Sequence, residues 1–235
     1  MFKESLAVLP AIAELSDLSL LRLSIAESLS QNAQATRNRY AESMIRWFFR
    51  DGLRGLALNT WRAYGDPAIQ ASIHRYLYLS IEPIVARSVT EVLAKLNDGI
   101  VVPDNYLATH TEKLLGHPLA DLTRKRLVSN LRKLGFLERQ ATGDRLVAVP
   151  FNKTGLLLAL HFEFAQDAVR TFAFATIAAN PFWKYFGVRS EDELRDFLRE
   201  ADHLGLLGKY VVADRLEQIS TASTLSELLQ RKVRL

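Results

Sequence analysis

Between Asp121 and Lys133 the sequence gathers five basic side chains, Arg124, Lys125, Arg126, Arg132 and Lys133, against the single acid Asp121, a local net charge of +4. Cations at this density suit phosphate: they neutralise backbone oxygens, and arginine can also reach guanine edges in the major groove of a duplex. Leu127, Leu131 and Leu134 recur at i, i+4 and i+7, which predicts an amphipathic helix from Asp121 to Leu134, ended by Gly135. On a wheel of about 100° per residue the three leucines fall within about 60° of one another, flanked by Val128. Lys125, Arg126, Ser129, Arg132 and Lys133 take the opposite face, and Arg124 and Asn130 complete the expected DNA contacts. A surface helix needs charges somewhere, so a basic face is also what an ordinary solvated helix carries.

The residues beyond Gly135 favour the nucleic-acid reading. Phe136–Arg139 and Arg145–Val149 are predicted to pair as a hairpin across Ala141-Thr142-Gly143-Asp144. Helix, strand, turn and strand in that order form the second half of a winged helix, with Arg139 and Arg145 as wing contacts. Ile100-Val101-Val102 and a helix from Asp104 to Leu115 would form its first half. The pattern occurs twice. Leu134-Gly135-Phe136-Leu137 recurs as Leu204-Gly205-Leu206-Leu207, and Asp144-Arg145-Leu146 as Asp214-Arg215-Leu216, seventy residues on and without a gap from Leu127/Phe197 to Val149/Ile219. The second copy is opposite in charge: Glu191 to His203 holds six acids against Arg195 and Arg199, a net of −4. Glu191, Asp192 and Glu193 also suit a helix N-terminus, where the backbone dipole favours negative charge.

A second basic stretch, Thr36-Arg37-Asn38-Arg39, continues to Arg46, Arg50 and Arg54. Arg39, Arg46 and Arg50 can share one helix face, while Trp47, Phe48 and Phe49 point mostly toward a core. Arg37 and Arg39 are candidate clamps on the DNA backbone. The catalytic inventory is poor. Glu200-x-x-His203 is half of a carboxylate-bridged di-iron motif, but the seventy-residue partners of those positions are Asn130 and Lys133. His161-Phe162-Glu163 resembles the H-x-E of zinc deaminases without the cysteines those sites need. No P-loop or H-E-x-x-H pattern occurs, and His74, His110 and His117 are scattered. No enzymatic activity, metal or cofactor is expected.

These elements stand in a chain of 235 residues with 49% hydrophobic and 24% charged content, no cysteine, net charge +4 and pI about 9.4. The composition is that of an ordinary globular protein, and the basic balance favours an anionic partner only weakly. Without cysteine there is no disulfide framework, thiol nucleophile or thiolate metal site. Glu4, Glu14 and Asp17 among the first leucines are unlike a signal peptide. The greasiest stretch, Thr171 to Phe186, falls short of the roughly 20 apolar residues of a membrane-spanning helix. A soluble, cytoplasmic chain with no membrane partner is expected.

The N-terminal third reads as helical. Ser16-Asp17 caps a helix to about Leu29, a second runs from Thr36 to Asp51 before Gly52, and Asp66-Pro67 opens a third with Ile69, Ile73 and Leu77 as one buried stripe. A fourth spans Glu82 to Leu96. Phe151 to Phe186 is expected to be a buried helical segment, with Leu156 to Phe164 open to either a helix or a strand. Ser190-Glu191-Asp192-Glu193 is a capping box, and Thr224 caps a last short helix.

Four features in order resemble the BrxA family of bacterial BREX phage-defence systems. They are Thr36-Arg37-Asn38-Arg39 opening an early helix; Tyr76-Leu77-Tyr78-Leu79-Ser80-Ile81-Glu82-Pro83-Ile84-Val85; Leu122-Thr123-Arg124 opening a helix that ends Leu131-Arg132-Lys133-Leu134-Gly135-Phe136-Leu137; and a C-terminal unit closed by a leucine-rich helix. The resemblance implies a helical DNA-binding protein without enzymatic activity, acting beside the methyltransferase and ATPase components of such a system.

The expected fold is therefore mainly α: a helical N-terminal region (1–80), then a basic winged-helix-like unit (81–150). An aromatic helical core comes next, with an acidic winged-helix-like unit and a C-terminal helix (151–235). The expected function is non-catalytic double-stranded DNA binding in phage defence, with other defence-system proteins as further partners. The alternative is a protein–protein adaptor that uses the acidic unit and has little DNA affinity of its own. A regulator binding its own promoter is a third reading that the sequence does not separate from the first.

Overall fold

In a computed structural model, which describes residues 2–213 and 216–235, the chain is mainly helical with two small three-stranded antiparallel sheets. It opens with α1 (Phe2–Ala7), α2 (Leu9–Ala13) and α3 (Leu21–Glu27). Asp17 does cap, accepting from the Ser19 N–H at 2.8 Å, but what it starts is a 3-10 turn over Leu18–Leu20 that leads into α3. α4 (Gln34–Phe48) ends before the expected Asp51, and Gly52 takes φ of +61° in the turn beyond it.

After α5 (Leu56–Tyr64), Asp66 accepts from the Ala68 and Ile69 N–H groups and starts α6 (Pro67–Ile81). The sequence predicts one buried stripe here, yet ten of the fifteen residues are buried. The reason is position: α1, α4, α5 and α10 (Lys153–Phe164) all pack around this helix. Three of its buried polar side chains are bonded to those neighbours, and Ser72 bonds the Ile69 carbonyl within the helix itself. Gln70 donates to the Ala57 carbonyl at 3.0 Å, His74 Nδ1 lies 3.0 Å from the Ser5 hydroxyl, and the Tyr76 hydroxyl donates to Glu163. α10 comes close enough that a Cβ on Gly155 would lie 2.2 Å from Ser72 Oγ. The helix expected from Glu82 to Leu96 is in three pieces: α7 (Pro83–Arg87), a π-helical turn over Ser88–Val92 and a 3-10 turn over Leu93–Lys95.

Next come β1 (Val101–Val102), α8 (Tyr106–Leu115), α9 (Asp121–Lys133), β2 (Leu137–Gln140) and β3 (Gly143–Leu146), the strands in the order β1–β3–β2. Gln140 pairs with Gly143, so the hairpin loop is Ala141-Thr142, shorter than the four residues expected. Only glycine fits at 143, because a Cβ there would lie 2.2 Å from the Val102 carbonyl oxygen on β1.

After α10 the same order returns as β4 (Thr171–Ala173), α11 (Phe174–Ala179), a 3-10 turn over Pro181–Phe186, α12 (Glu191–His203), β5 (Leu207–Ala213) and β6 (Leu216–Thr221), with strand order β4–β6–β5. α13 (Leu225–Arg231) closes the fold. Of the helical segment expected from 151 to 186, Leu156 to Phe164 is helix, but Thr171–Ala173 is corrected to a strand, where Phe172 pairs with Ile219. β4 begins seventy residues after β1, so the structural repeat reaches further back than the sequence repeat. Asp214 and Arg215, part of that sequence repeat, lie outside the described residues.

α9 and α12 end alike. Gly135 and Gly205 have φ of +84° and +69°, and the next N–H in each case bonds back into the last turn, Phe136 to Leu131 at 3.0 Å and Leu206 to Ala201 at 2.9 Å. Their preceding leucines differ: Leu134 is 2% exposed and Leu204 57%. At the start of α12 the Ser190 hydroxyl accepts from the Glu193 N–H at 3.1 Å, but the Glu193 carboxylate takes the Arg189 N–H. The reciprocal capping box belongs to Thr224 and Glu227. One apolar core runs from α2 to α13, and among the described residues no helix is long and apolar enough to cross a membrane.

His74 is fully buried, stacked on Phe48 with ring centroids 4.6 Å apart, and its Nε2 has no hydrogen-bond partner. Burial pushes its pKa from 6.5 down to about 3. Its stability contribution is therefore complete above pH 6.5 and is lost as pH falls toward 3, because the unfolded chain takes up a proton that the native state refuses. Each pH unit in that window costs about 1.4 kcal/mol. Urea unfolding between pH 7 and pH 4.5 should show this decline, and His74→Gln should make it shallower.

Candidate nucleic-acid interface

α9 is seated by Leu127, Leu131 and Leu134, all buried, and by Arg75 of α6. Arg75 Nε donates to the Leu134 carbonyl at 3.0 Å, and its guanidinium stands 5.5 Å from the centre of the Phe136 ring. A cation at the carbonyl end of a helix is electrostatically favoured. Burial lowers the Arg75 pKa only to about 10, which leaves it charged at neutral pH.

The helix places the basic residues in three environments. Arg124 donates to Glu112 at 2.6 Å, and Glu112 also takes the Leu119 N–H. Arg132 is held by two bonds, 2.6 and 2.8 Å, to Asp144, which is 3% exposed. The expectation that Arg132 lies on the open face is thus corrected: β3 packs its carboxylate against that turn of α9. The hairpin cations are also paired, but in solvent. Arg139 bonds Asp104, and Arg145 bonds Glu138, its cross-strand partner. Arg37 folds back on the Gln31 carbonyl, at 3.1 Å, and on Gln34.

The third environment is open. Arg39, Lys125, Arg126 and Lys133 are exposed, and among the described residues their side chains make no ion pair. Three of them, Arg39, Arg126 and Lys133, face an open cleft of about 680 Å³ between α4 and α9. Ser129 and Asn130 also line it, so α9 contributes four of its candidate residues to one wall. Arg46 and Trp47 of α4 form the opposite wall. The floor is tied together by the Asn130 amide, which donates to the Tyr78 hydroxyl at 2.7 Å. Burial beside Glu82 pushes that hydroxyl above its ordinary pKa, so it stays neutral.

The sequence did not reveal this cleft, nor Tyr40, Trp47, Tyr78 and Glu82 as its walls. A partial signal was present. Arg39, Ser43, Arg46 and Trp47 stand at i, i+4, i+7 and i+8, one face of a helix. Arg50, expected on that face, instead lies 3.9 Å from Asp51.

On α12 the few cations are paired with acids, and the surface stays acidic: the net of −4 from Glu191 to His203 already counts Arg195 and Arg199. Arg195 donates to Glu217 and Asp192, both at 3.0 Å, Arg199 to Asp196 at 2.8 Å, and Lys153 to Glu200 at 2.7 Å. Glu200 is thus committed to an ion pair, and Glu163 of the His161-Phe162-Glu163 triplet accepts from Tyr76.

Breaking the Arg132–Asp144 pair from its buried side removes two charge-assisted bonds at once. Asp144→Ala is expected to destabilise the fold by about 2–3 kcal/mol, measured by urea unfolding, because bonds to charged groups contribute about 1.5–3 kcal/mol. Glu138→Ala, which breaks an exposed pair, is expected to cost less than about 1 kcal/mol.

No family model, curated protein or solved structure matches the chain.

Proposed function

We propose that the chain is a non-catalytic double-stranded DNA-binding protein. In this reading each strand–helix–helix–hairpin unit is a winged helix, α9 enters the major groove, and β2–β3 is the wing. The observation that carries it is the set of exposed cations that make no side-chain ion pair among the described residues, Lys125, Arg126 and Lys133 on α9, the last within the field of Glu4, with Arg39 of α4 beside them. Elsewhere on the basic unit, Arg124, Arg132, Arg139 and Arg145 are each held by a carboxylate.

Magnitudes separate those four. Exposed ion pairs contribute about 0–1 kcal/mol, so a phosphate can replace Asp104 or Glu138 as the partner of Arg139 or Arg145 at little cost. Arg132 stays on Asp144, because releasing it would strand a buried carboxylate. The duplex contacts are therefore Lys125, Arg126, Ser129 and Lys133, with the two hairpin arginines recruited on binding. The resemblance to the BrxA family supplies the setting of this proposal, a phage-defence system in bacteria. The adaptor reading keeps an acidic α12, since Arg195 is shared among Glu191, Asp192 and Glu217 and leaves Asp192 exposed.

Binding to a random-sequence duplex should weaken steeply with salt, by about 0.9 log unit per log unit of salt for each phosphate neutralised. Arg126→Ala combined with Lys133→Ala should reduce that slope by about 1.8 and lower affinity at least about tenfold, with thermal stability unchanged. Wild-type affinity in the folded double variant, or no duplex binding at low salt, would refute the proposal.

A further inference from the structure

We infer that the cleft between α4 and α9 is a binding site for an unpaired nucleotide, a base together with its phosphate. The inference deepens the DNA-binding reading and shares Arg126, Ser129 and Lys133 with it, but it also draws on α4 and α6, which the duplex reading uses only through Arg39. Lys125, the one α9 duplex contact outside the cleft, and the β2–β3 hairpin belong to the duplex reading alone, whereas Tyr40, Ser43, Trp47 and Tyr78 belong to the cleft alone.

Its chemistry has two parts. Around the walls stand Arg39, Arg46, Arg126 and Lys133, four cations against the single carboxylate of Glu82. Among the described residues Arg46 alone of the four makes a side-chain ion pair, a 3.2 Å contact with Glu82 Oε1, while Lys133 lies in the field of Glu4. Deeper in are aromatic rings, Tyr40 and Trp47 of α4 and Tyr78 of α6, with Ile84 and Leu127 adding apolar surface. A surface that only neutralised phosphate would need no aromatic lining. Cations joined to aromatic surface are the combination by which proteins hold single-stranded nucleic acid, the bases stacking on the rings and the backbone meeting the cations. A paired base presents only its edges in the grooves, so these rings suit a nucleotide free of the stack.

The cleft is also preformed. Trp47 is held by its indole N–H, which donates to Glu82 Oε1 at 2.8 Å, and by its ring against Tyr78, with centroids 5.3 Å apart. Tyr78 in turn accepts from Asn130, so both walls are fixed to one residue of the central helix. Glu82 Oε2 accepts no hydrogen bond from the described residues and can take one from the N–H edge of a base. The volume of about 680 Å³ is within the range of small-molecule sites, roughly 300–1,000 Å³.

The experiment measures binding of the full chain to three probes: a random single-stranded 12-mer, deoxyadenosine monophosphate as competitor, and a blunt duplex. Ser43 lies on the α4 wall, and Ser43→Trp puts bulk into the cleft while every basic residue is kept. The 12-mer should bind, and the variant should weaken that binding at least tenfold while duplex affinity stays within twofold. If Ser43→Trp does not fold, Tyr40→Ala replaces it and should weaken the 12-mer at least fivefold. Displacement of the 12-mer by the monophosphate would identify a site for nucleotides in general, and failure of the monophosphate to compete would identify a site for a strand. Absence of 12-mer and monophosphate binding, or equal 12-mer binding by wild type and the folded variant, would overturn the inference. Loss of duplex binding alone would refute the duplex proposal and leave this one standing.

Discussion

A helix buried on every side can carry polar side chains only where each meets a partner, and α6 carries Gln70, Ser72, His74, Arg75, Tyr76 and Tyr78. A buried polar group left without its partner costs about 1–3 kcal/mol. The bonds reach outward in different directions: Gln70 to α5, His74 to α1, Arg75 to the end of α9, Tyr76 to α10. Sliding any of these helices would break a bond that water cannot replace. Apolar contacts alone would tolerate such a slide, because they are non-directional. The position of α9, and therefore the direction in which its cations point, is set by this central helix.

The same logic divides the basic residues. Burial determines which ion pairs hold: Asp144 is enclosed and keeps Arg132, whereas Asp104 and Glu138 stand in solvent beside Arg139 and Arg145. A local charge of +4 counted from the sequence therefore overstates what α9 offers a polyanion. Two of its five cations, Arg124 and Arg132, are already answered by Glu112 and Asp144.

Local patterns were legible and tertiary ones were not. The leucine spacing and Gly135 defined α9 to within a residue, because amphipathic period and capping are properties of adjacent residues. The mainly helical character was legible for the same reason. β4 was not. Thr171-Phe172-Ala173 resembles the apolar residues around it, and only its pairing with β6, some fifty residues on, makes it a strand. The burial of α6 beyond the Ile69, Ile73 and Leu77 stripe has no local signal, because it comes from helices as far along the chain as α10. The cleft was missed because its walls come from residues 39–47 and 123–133, brought together only through Tyr78. The internal capture of Arg132 depended on where the hairpin would fold back, which no local spacing encodes.

The two copies part most sharply at one matched position. Leu134 is covered by the N-terminal helices, while Leu204, its counterpart seventy residues on, is bare. The backbone around each is the same, down to the left-handed glycine that comes after it. The chain thus carries its own control: features common to both copies belong to the repeated backbone pattern. Features of the first copy alone, among them the cleft and its unanswered cations, belong to the helices behind it.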